Sequence, residues 1–419
     1  MKRILKNKRN TVSFLVIMLF LFFFTVSAIE VKATDSNSEN DSIIQDYAIS
    51  GKSINPLYKG IINETDIPEP EFPQITRKNG VLRKSSGNNE RYTTIEAAAA
   101  YLRTCLVSRE DKIAIYVDTS APDFSGDIAE AFSSVWNKST DITTVPTQGD
   151  YLLYQIGGYS WSFNGQAVFY YPLYYTDASQ ESDTDDMISQ IINNLSLDGC
   201  SDEVKSARIY DYIARNVEYD YENSDYLIYT AYGALSRGKA VCQGYSVLYY
   251  RLALEAGLCS RIISGTGIDP SSGEGGAHAW NIVKLEDYYW NLDVTWDSGS
   301  PISHNYYLNN SASFTDMHIR GTYDDNDYSS AEFMALHPMG QGAKDYPESE
   351  KVAVSGVHFE QKNIVAASSE SPVKFKAIIE PENAYNTNIR YSRISSTSDF
   401  DGYFGYDTAG NCYVYYSSS

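Results

Sequence analysis

Along this chain the spacing of apolar residues changes period several times, and each change marks an element. A largely apolar stretch from Val12 to Ala28 follows Lys2, Arg3, Lys6, Lys8 and Arg9. From Thr34 to about Glu90 the sequence turns polar, dominated by Asn, Ser, Asp, Pro and Glu. Such a stretch lacks the apolar clusters that offset chain entropy, so residues 29–90 read as a linker. Thr93-Thr94-Ile95-Glu96 has the form of a capping box ahead of Ala97 to Val107, which predicts a helix. Ile113 to Val117 reads as a strand. Tyr151 to Phe163 and Gln166 to Tyr175 are aromatic-rich runs joined by Asn164-Gly165, a favoured hairpin pair. Residues 91–178 are thus expected to form a small α+β unit.

The acidic stretch Glu181 to Asp186 separates that unit from a helical region. Met187 to Leu195 and Asp202 to Val217 carry apolar residues at helical spacing, and Ser201 is placed to cap the second helix. Gln243 to Ala256 is a largely apolar helix stopped by Gly257. Ala277 to Lys284 and Tyr288 to Trp296 alternate as the arms of a hairpin. Beyond Tyr346 the chain reads as short strands at Val352 to Phe359, Val373 to Ile379 and Ile389 to Ser392. The fold class is α+β, with boundaries at 1–28, 29–90, 91–178, 181–345 and 350–419.

Charge and cysteine usage narrow the setting. The basic start, the apolar run and the small residues Val26-Ser27-Ala28 form a secretory signal pattern, with an uncleaved membrane anchor as the alternative. Removing 1–28 moves the formal charge from -21 to -26. So acidic a surface argues against nucleic acid or anionic lipid as a partner. The expectation is a secreted or extracellular protein, cell-envelope association included, that does not engage the membrane once the signal is gone. Five cysteines, Cys105, Cys200, Cys242, Cys259 and Cys412, are too few for a disulfide scaffold, and the odd number leaves at least one thiol unpaired in a monomer. Cys242 is the expected free thiol. Pairing among the others stays open, with Cys105 and Cys259 expected to be buried and inert.

Three local strings carry the candidate chemistry. Cys242 lies in Gly-Lys-Ala-Val-Cys-Gln-Gly-Tyr, His278 in Ala-His-Ala-Trp-Asn, and Asp293 in Trp-Asn-Leu-Asp-Val-Thr-Trp-Asp. A thiol is mostly protonated at neutral pH, so thiol catalysis needs an imidazole to hold the proton and a third group to hold the imidazole. Cys242 falls at a helix start, where backbone N–H groups and the helix dipole favour a thiolate and can bind an oxyanion. A hairpin turn centred between Leu285 and Glu286 would pair residues whose numbers sum to 571, setting His278 opposite Asp293. Trp280 and Asn291 share that face by the period-two rule, close enough to shape a substrate site, and Gln243 is a further candidate there. A slip of one residue would turn Asp293 away.

With Ile209-Tyr210-Asp211-Tyr212-Ile213, Asn216-Val217-Glu218-Tyr219-Asp220-Tyr221, Tyr306-Tyr307-Leu308 and His318, these strings resemble the transglutaminase-like superfamily, in the branch typified by secreted bacterial proteins. The resemblance runs from about Asp202 to about His318. It implies a papain-like transglutaminase-core fold, with the nucleophile starting a helix and the His and Asp on neighbouring strands. It also implies a mechanism in which Cys242 attacks an amide carbonyl of a protein or peptide, His278 acts as base and then acid, and Asp293 fixes the imidazole. The thioester passes to an amine or to water, giving crosslinking or hydrolysis; no second oxyanion donor is assigned. The alternative is a non-catalytic surface protein that uses the same scaffold for interaction or adhesion. Pro381-Glu382-Asn383-Ala384 resembles a string of bacterial Ig-like domains, which implies a C-terminal all-β sandwich. No cofactor is expected: His-Glu-x-x-His, paired Cys-x-x-Cys and phosphate-loop strings do not occur, and Asp324, Asp325, Asn326 and Asp327 lack the glycine of a calcium loop. The loop Gly265 to Gly276 reads as a flexible connector.

Overall fold

The computed structural model describes residues 49–55, 62–71, 91–222, 225–270, 272–299, 302–323, 326–359, 373–375, 377–381, 402–406 and 412–416. The apolar run Val12 to Ala28 lies outside these, and among the described residues no helix is long and apolar enough to cross a membrane. The first element among the described residues is strand β1 (Ile49–Ile54), inside the expected linker. After it come α1 (Ile95–Val107), β2 (Ile113–Tyr116), α2 (Ile128–Ser139), the single turn α3 (Asp150–Leu153), β3 (Ile156–Phe163) and β4 (Ala167–Tyr174). The four strands form one antiparallel sheet in the order β1-β3-β4-β2. β1 was illegible because its pairing with β3, from Ile49 opposite Phe163 to Ile54 opposite Gly158, rests on backbone hydrogen bonds and little apolar surface.

Three local expectations shift by a residue or more. The cap of α1 is Thr94, whose side chain accepts from the Ala97 N–H, so no glutamate completes a reciprocal box. The hairpin turns on Gly165 and Gln166, closed by Asn164 N–H to the Ala167 carbonyl at 3.3 Å, with Gly165 at φ +85°. That places glycine first in the turn, as a type II′ geometry requires. The acidic stretch Glu181 to Asp186 is the first half of α4 (Ala178–Leu195), which starts at a full capping box of Asp177 and Gln180. Glu181 turns inward to Arg109, 2.8 Å away, and to the Tyr151 hydroxyl at 2.9 Å.

The second half of the fold wraps one buried helix. α5 (Asp202–Asn216) is capped by Ser201 as expected. A two-residue parallel bridge of β5 (Glu218–Tyr219) with β6 (Lys239–Ala240) flanks α6 (Ala231–Arg237). α7 (Cys242–Glu255) follows, and every residue from Gln243 to Leu254 is buried. Arg251 is accommodated in that interior by ion pairs with Glu255 at 2.7 Å and Asp185 at 2.5 Å. Gly257, at φ +81°, ends the helix. Much of the surrounding core is tyrosine whose hydroxyl finds a partner: Tyr245 donates to the Val217 carbonyl at 2.6 Å, and Tyr249 pairs with Ser206 at 2.8 Å.

β7 (Cys259–Ile268), β8 (Gly275–Leu285) and β9 (Tyr288–Leu292) form a meander under α7. The chain then makes the single turn α8 (Val294–Asp297), the short strand β10 (Asn309–Asn310), the turn α9 (Ala312–Thr315) and strand β11 (His318–Arg320). β11 returns to the far edge of the meander, so the antiparallel sheet has the order β11-β7-β8-β9. Ala279, Val283 and Leu292 join the core around α7, whereas Trp280 and Ile282 pack in a second cluster with Phe314 and Tyr328. Period-two alternation therefore gives β8 two buried faces of different character. The expected flexible connector shrinks to 269–274, since Gly265, Gly267, Gly275 and Gly276 all lie in ladder positions.

The two halves are joined by a buried ion pair. Arg261 of β7 meets Asp150 of α3 through two contacts, at 2.7 and 3.0 Å, and the Ile262 N–H adds a third at 2.8 Å. After β11, β12 (Thr322–Tyr323) and β13 (Asn326–Asp327) pair as a two-stranded antiparallel ladder. α10 (Ala331–Leu336) and β14 (Gly342–Ala343), the latter paired with β10, close this half. Farther on, β15 (Gly356–Phe359) pairs with β17 (Ala377–Glu380), and β16 (Val373–Phe375), β18 (Gly402–Tyr406) and β19 (Cys412–Tyr416) make a three-stranded sheet. The strand expected at Ile389 to Ser392 lies outside the described residues.

Candidate active site

Cys242 is the first residue of α7, half-buried, with Val241 as the N-cap. The helix start sits tight against its neighbours because Gly244 has no side chain: a Cβ there would come within 2.5 Å of the Ile228 carbonyl and 2.7 Å of the Ala240 Cβ. Gln243, one of the expected substrate-site residues, is buried, and its amide nitrogen donates to the Tyr154 carbonyl at 3.1 Å and the Tyr229 carbonyl at 3.2 Å. It braces the helix start against α3 and the segment before α6, with its donor turned from the nucleophile.

His278 lies on β8 and Asp293 one residue past the end of β9. The ladder pairs Asn281 with Leu292 and Leu285 with Tyr288, so paired numbers sum to 573 and the turn is the two-residue Glu286-Asp287. The expected register of 571 is therefore off by two, which preserves the face of every side chain. His278 and Asp293 meet diagonally at the open end of the hairpin, with Nε2 to Oδ2 at 2.7 Å. The expected strand to Trp296 stops at Leu292 because Asp293 caps α8: its Oδ1 accepts from the N–H groups of Thr295 at 2.9 Å and Trp296 at 3.4 Å.

With Nε2 engaged by Asp293, Nδ1 is the ring nitrogen left for Cys242, whose sulfur is among the groups that raise the His278 pKa. Burial alone would lower the His278 pKa, but the Asp293 carboxylate and the Cys242 sulfur beside it push it up to about 10. Burial likewise opposes ionisation of Asp293, and the two imidazoles around it hold its carboxyl well below the usual range. A raised imidazole pKa beside a sulfur is the arrangement that general thiol chemistry uses to stabilise a thiolate. Trp296 covers the ring from one side, with centroids 5.1 Å apart and planes at 26°.

Trp280 and Asn291 do share the His278 face, as expected, but as supports. Both are buried, at 1% and 3% exposure, and the Trp280 indole N–H donates to Asn291 Oδ1 at 3.1 Å. Asn291 is further held by Asn310 and Arg320. The neighbouring Asn281 points the other way, donating to the Ser246 carbonyl of α7 at 3.0 Å, and so fixes helix to sheet.

Two groups at the site escaped the sequence reading. Gly267 on β7 faces His278, and a Cβ there would stand 2.9 Å from the His278 Cβ and Cγ. His318 on β11, which carried only a family likeness, places its Nε2 3.0 Å from Asp293 Oδ2. No local periodicity could reveal it, since β11 pairs with β7 about fifty residues earlier in the chain. His278, Asp293 and His318 present ligand-type atoms within 4.8 Å of one another. The two hydrogen bonds on one carboxylate oxygen account for that spacing. Cys105, Cys200, Cys242 and Cys259 are free thiols; Cys105 is buried as expected, with its pKa pushed up by burial to about 11, while Cys259 is exposed, contrary to expectation.

Comparison with known proteins places this geometry. The family model of the transglutaminase-like superfamily matches residues 191–293, a span that contains Cys242, His278 and Asp293. Kyphoscoliosis peptidase of Mus musculus is 28% identical over 121 residues, covering 27% of this chain and 18% of that protein. A solved structure of a TGase is 20% identical, covering 33% of this chain and 44% of that one, at a TM-score of 0.24. A candidate cysteine protease of Cytophaga hutchinsonii is 14% identical, covering 33% and 53%, also at 0.24. The chain thus spans less than a fifth of the mouse peptidase and about half of each solved chain. Its helix-start thiol, its capping Asp293 and the family match over the same residues lead to one identification: residues 191–293 are a domain of the transglutaminase-like superfamily.

Proposed function

We propose that this chain is a secreted thiol enzyme of the acyl-transfer type, acting on protein or peptide amides through a thioester on Cys242. The observation that carries the reading is the His278 imidazole, held by a carboxylate that takes four hydrogen bonds and electrostatically coupled to the Cys242 sulfur at the start of α7. The Cys242 thiolate attacks the amide carbonyl and forms a C–S bond, while N–H groups at the start of α7 supply hydrogen bonds to the oxyanion. The C–N bond then breaks as His278 gives its proton to the leaving nitrogen. Water or an amine next attacks the thioester, with His278 taking its proton and the thiolate leaving. Water gives hydrolysis, and an amine gives an isopeptide or exchanged amide.

The likeness to a protein named as a peptidase supports peptide amides as the substrate class. The basic start and apolar run before Ala28 support export, and the acidic surface supports partners other than nucleic acid. In this reading the segment after residue 350 is a bacterial Ig-like domain that spaces the enzyme from an envelope surface.

The test is incubation with a glutamine peptide, with and without an added primary amine, read by product mass. A loss of ammonia with water added indicates hydrolysis, and a gain of the amine indicates transfer; both are expected to vanish in Cys242→Ala. Equal masses for wild type and Cys242→Ala across a panel of glutamine and backbone-amide peptides would sink the proposal.

A further inference from the structure

The Asp293 carboxylate serves two imidazoles. Oδ2 lies 2.7 Å from His278 Nε2 and 3.0 Å from His318 Nε2, and Oδ1 is taken by the two N–H groups of α8. A carboxylate offers about four lone-pair sites, so this one is saturated. The second imidazole arrives from β11, where His318 pairs with Gly267, the glycine whose bare Cα leaves room for the His278 ring. His318 is fully enclosed, its ring stacked on Phe314 at 3.8 Å and 10° and packed against Trp296 at 4.4 Å.

The other His318 nitrogen, Nδ1, lies 3.1 Å from the Phe314 carbonyl. Carbonyl and carboxylate oxygens only accept, so both ring nitrogens of His318 must donate for both contacts to be hydrogen bonds. A neutral imidazole carries one N–H and could satisfy one of them. Both contacts are hydrogen bonds at once only if His318 carries a proton on each nitrogen.

We propose that His318 is a positioning residue for the thiol reaction, a buried imidazolium that fixes the Asp293 carboxylate and balances its charge. The inference rests on the thiol-enzyme reading above. With a Cys242 thiolate and a His278 imidazolium, Asp293 and His318 complete a group of four with no net charge. Without His318 the same group would carry an uncompensated negative charge in a largely buried site, which is costly. The charge also acts at a distance: the His278 and His318 ring centroids are 5.5 Å apart. A fixed positive charge there favours the thiolate and disfavours a second proton on His278. The titratable and charged groups around His318 are Asp293, His278, Cys242 beyond it, and Tyr306 at 5.8 Å between rings. Asp297 stands behind Asp293 through the Tyr210 hydroxyl, and Arg320 turns to Asn291.

Two measurements test this. Nitrogen-15 NMR of the full chain labelled at histidine, assigned by single replacements among the five histidines, should show a proton on both His318 nitrogens between pH 6 and pH 8. A bare nitrogen at His318 overturns the proposal, and this readout needs no turnover. The rate of Cys242 alkylation by iodoacetamide, measured across pH in wild type and His318→Gln, should show both limbs of the profile moved up by about one pH unit in the variant. A packing role alone predicts a lower unfolding temperature with both limbs in place, and unmoved limbs in a folded His318→Gln overturn the proposal. If His318→Gln does not fold, the NMR result on the native chain decides alone. If wild-type Cys242 reacts no faster than a free thiol, the enzyme reading fails instead, while the NMR result still decides the state of His318.

Discussion

Two four-stranded antiparallel sheets stand out among the described residues, and they use their faces differently. The β1-β3-β4-β2 sheet packs against α1 and α2 through Phe132, Trp136, Trp161 and Tyr170, in contacts that are aromatic and aliphatic. The β11-β7-β8-β9 sheet gives one face to α7 in the same manner, but the other carries His278, Trp280, Asn291, His318 and Arg320 in hydrogen bonds to one another and to Asp293. Burying ionisable groups contributes less than burying hydrocarbon of the same volume. The first sheet is what packing alone selects, whereas the second keeps a costly polar face that stability does not explain. The comparison places the candidate site on one face of one sheet.

Replacements on the two sheets should break apart accordingly. The largest effect is expected for Cys242→Ala, which removes the nucleophile and should abolish product in the peptide assay with the fold retained by circular dichroism. Asp293→Asn should come next, lowering turnover by roughly 10²–10⁴-fold, since an amide keeps the shape but favours the wrong imidazole tautomer. Gly267→Ala should lower it by about 10–100-fold, because the new Cβ would stand 2.9 Å from the His278 ring and displace it, and small displacements of a base are enough. On the other sheet, Phe132→Ala should cost about 3–5 kcal/mol in urea unfolding, as for a fully buried aromatic, yet leave the alkylation rate of Cys242 unchanged. A change of more than about threefold in that rate would show that the two faces are coupled and blur the distinction.

The pH dependence of stability sharpens the same contrast. The folded-state pKa of His278 is raised, so its contribution is complete below the unfolded value of about 6.5 and is lost as pH climbs toward about 10. The Asp293 value is depressed, so its contribution is present above about 3.9 and is lost as pH falls. Denaturant unfolding at pH 6 and pH 9.5 should therefore show a loss for wild type that is smaller in His278→Gln. An equal loss in both would mean that His278 is not charged in the folded protein near neutral pH.

Much of this was legible in the chain because local signals carried it. α1, α5 and α7 follow apolar spacing and caps, and the face shared by His278, Trp280, Asn291 and Asp293 follows from a period of two that survives an error of two in register. The rest depends on pairings between distant segments. β1 adds to an edge about a hundred residues away, and His318 reaches Asp293 through a strand that returns to β7. Asp293 itself looked like a strand residue because Val294 to Trp296 is β-branched and aromatic, and only its two oxygens, capping a turn and holding two rings, reveal the reason it sits there. Trp280, Gln243 and Asn291 stand next to the chemistry in sequence and behind it in space, which alternation along a strand cannot distinguish from lining it.

The most direct test of the account is the second-order rate of iodoacetamide alkylation at Cys242 at pH 6, compared between wild type and His278→Ala. A free thiol with a pKa of about 8.5 is almost wholly protonated there. If His278 holds the sulfur as a thiolate, wild type should react at least about 100-fold faster than the variant. Equal rates, both at the level of an isolated cysteine, would contradict the claim that this face of the sheet activates the thiol.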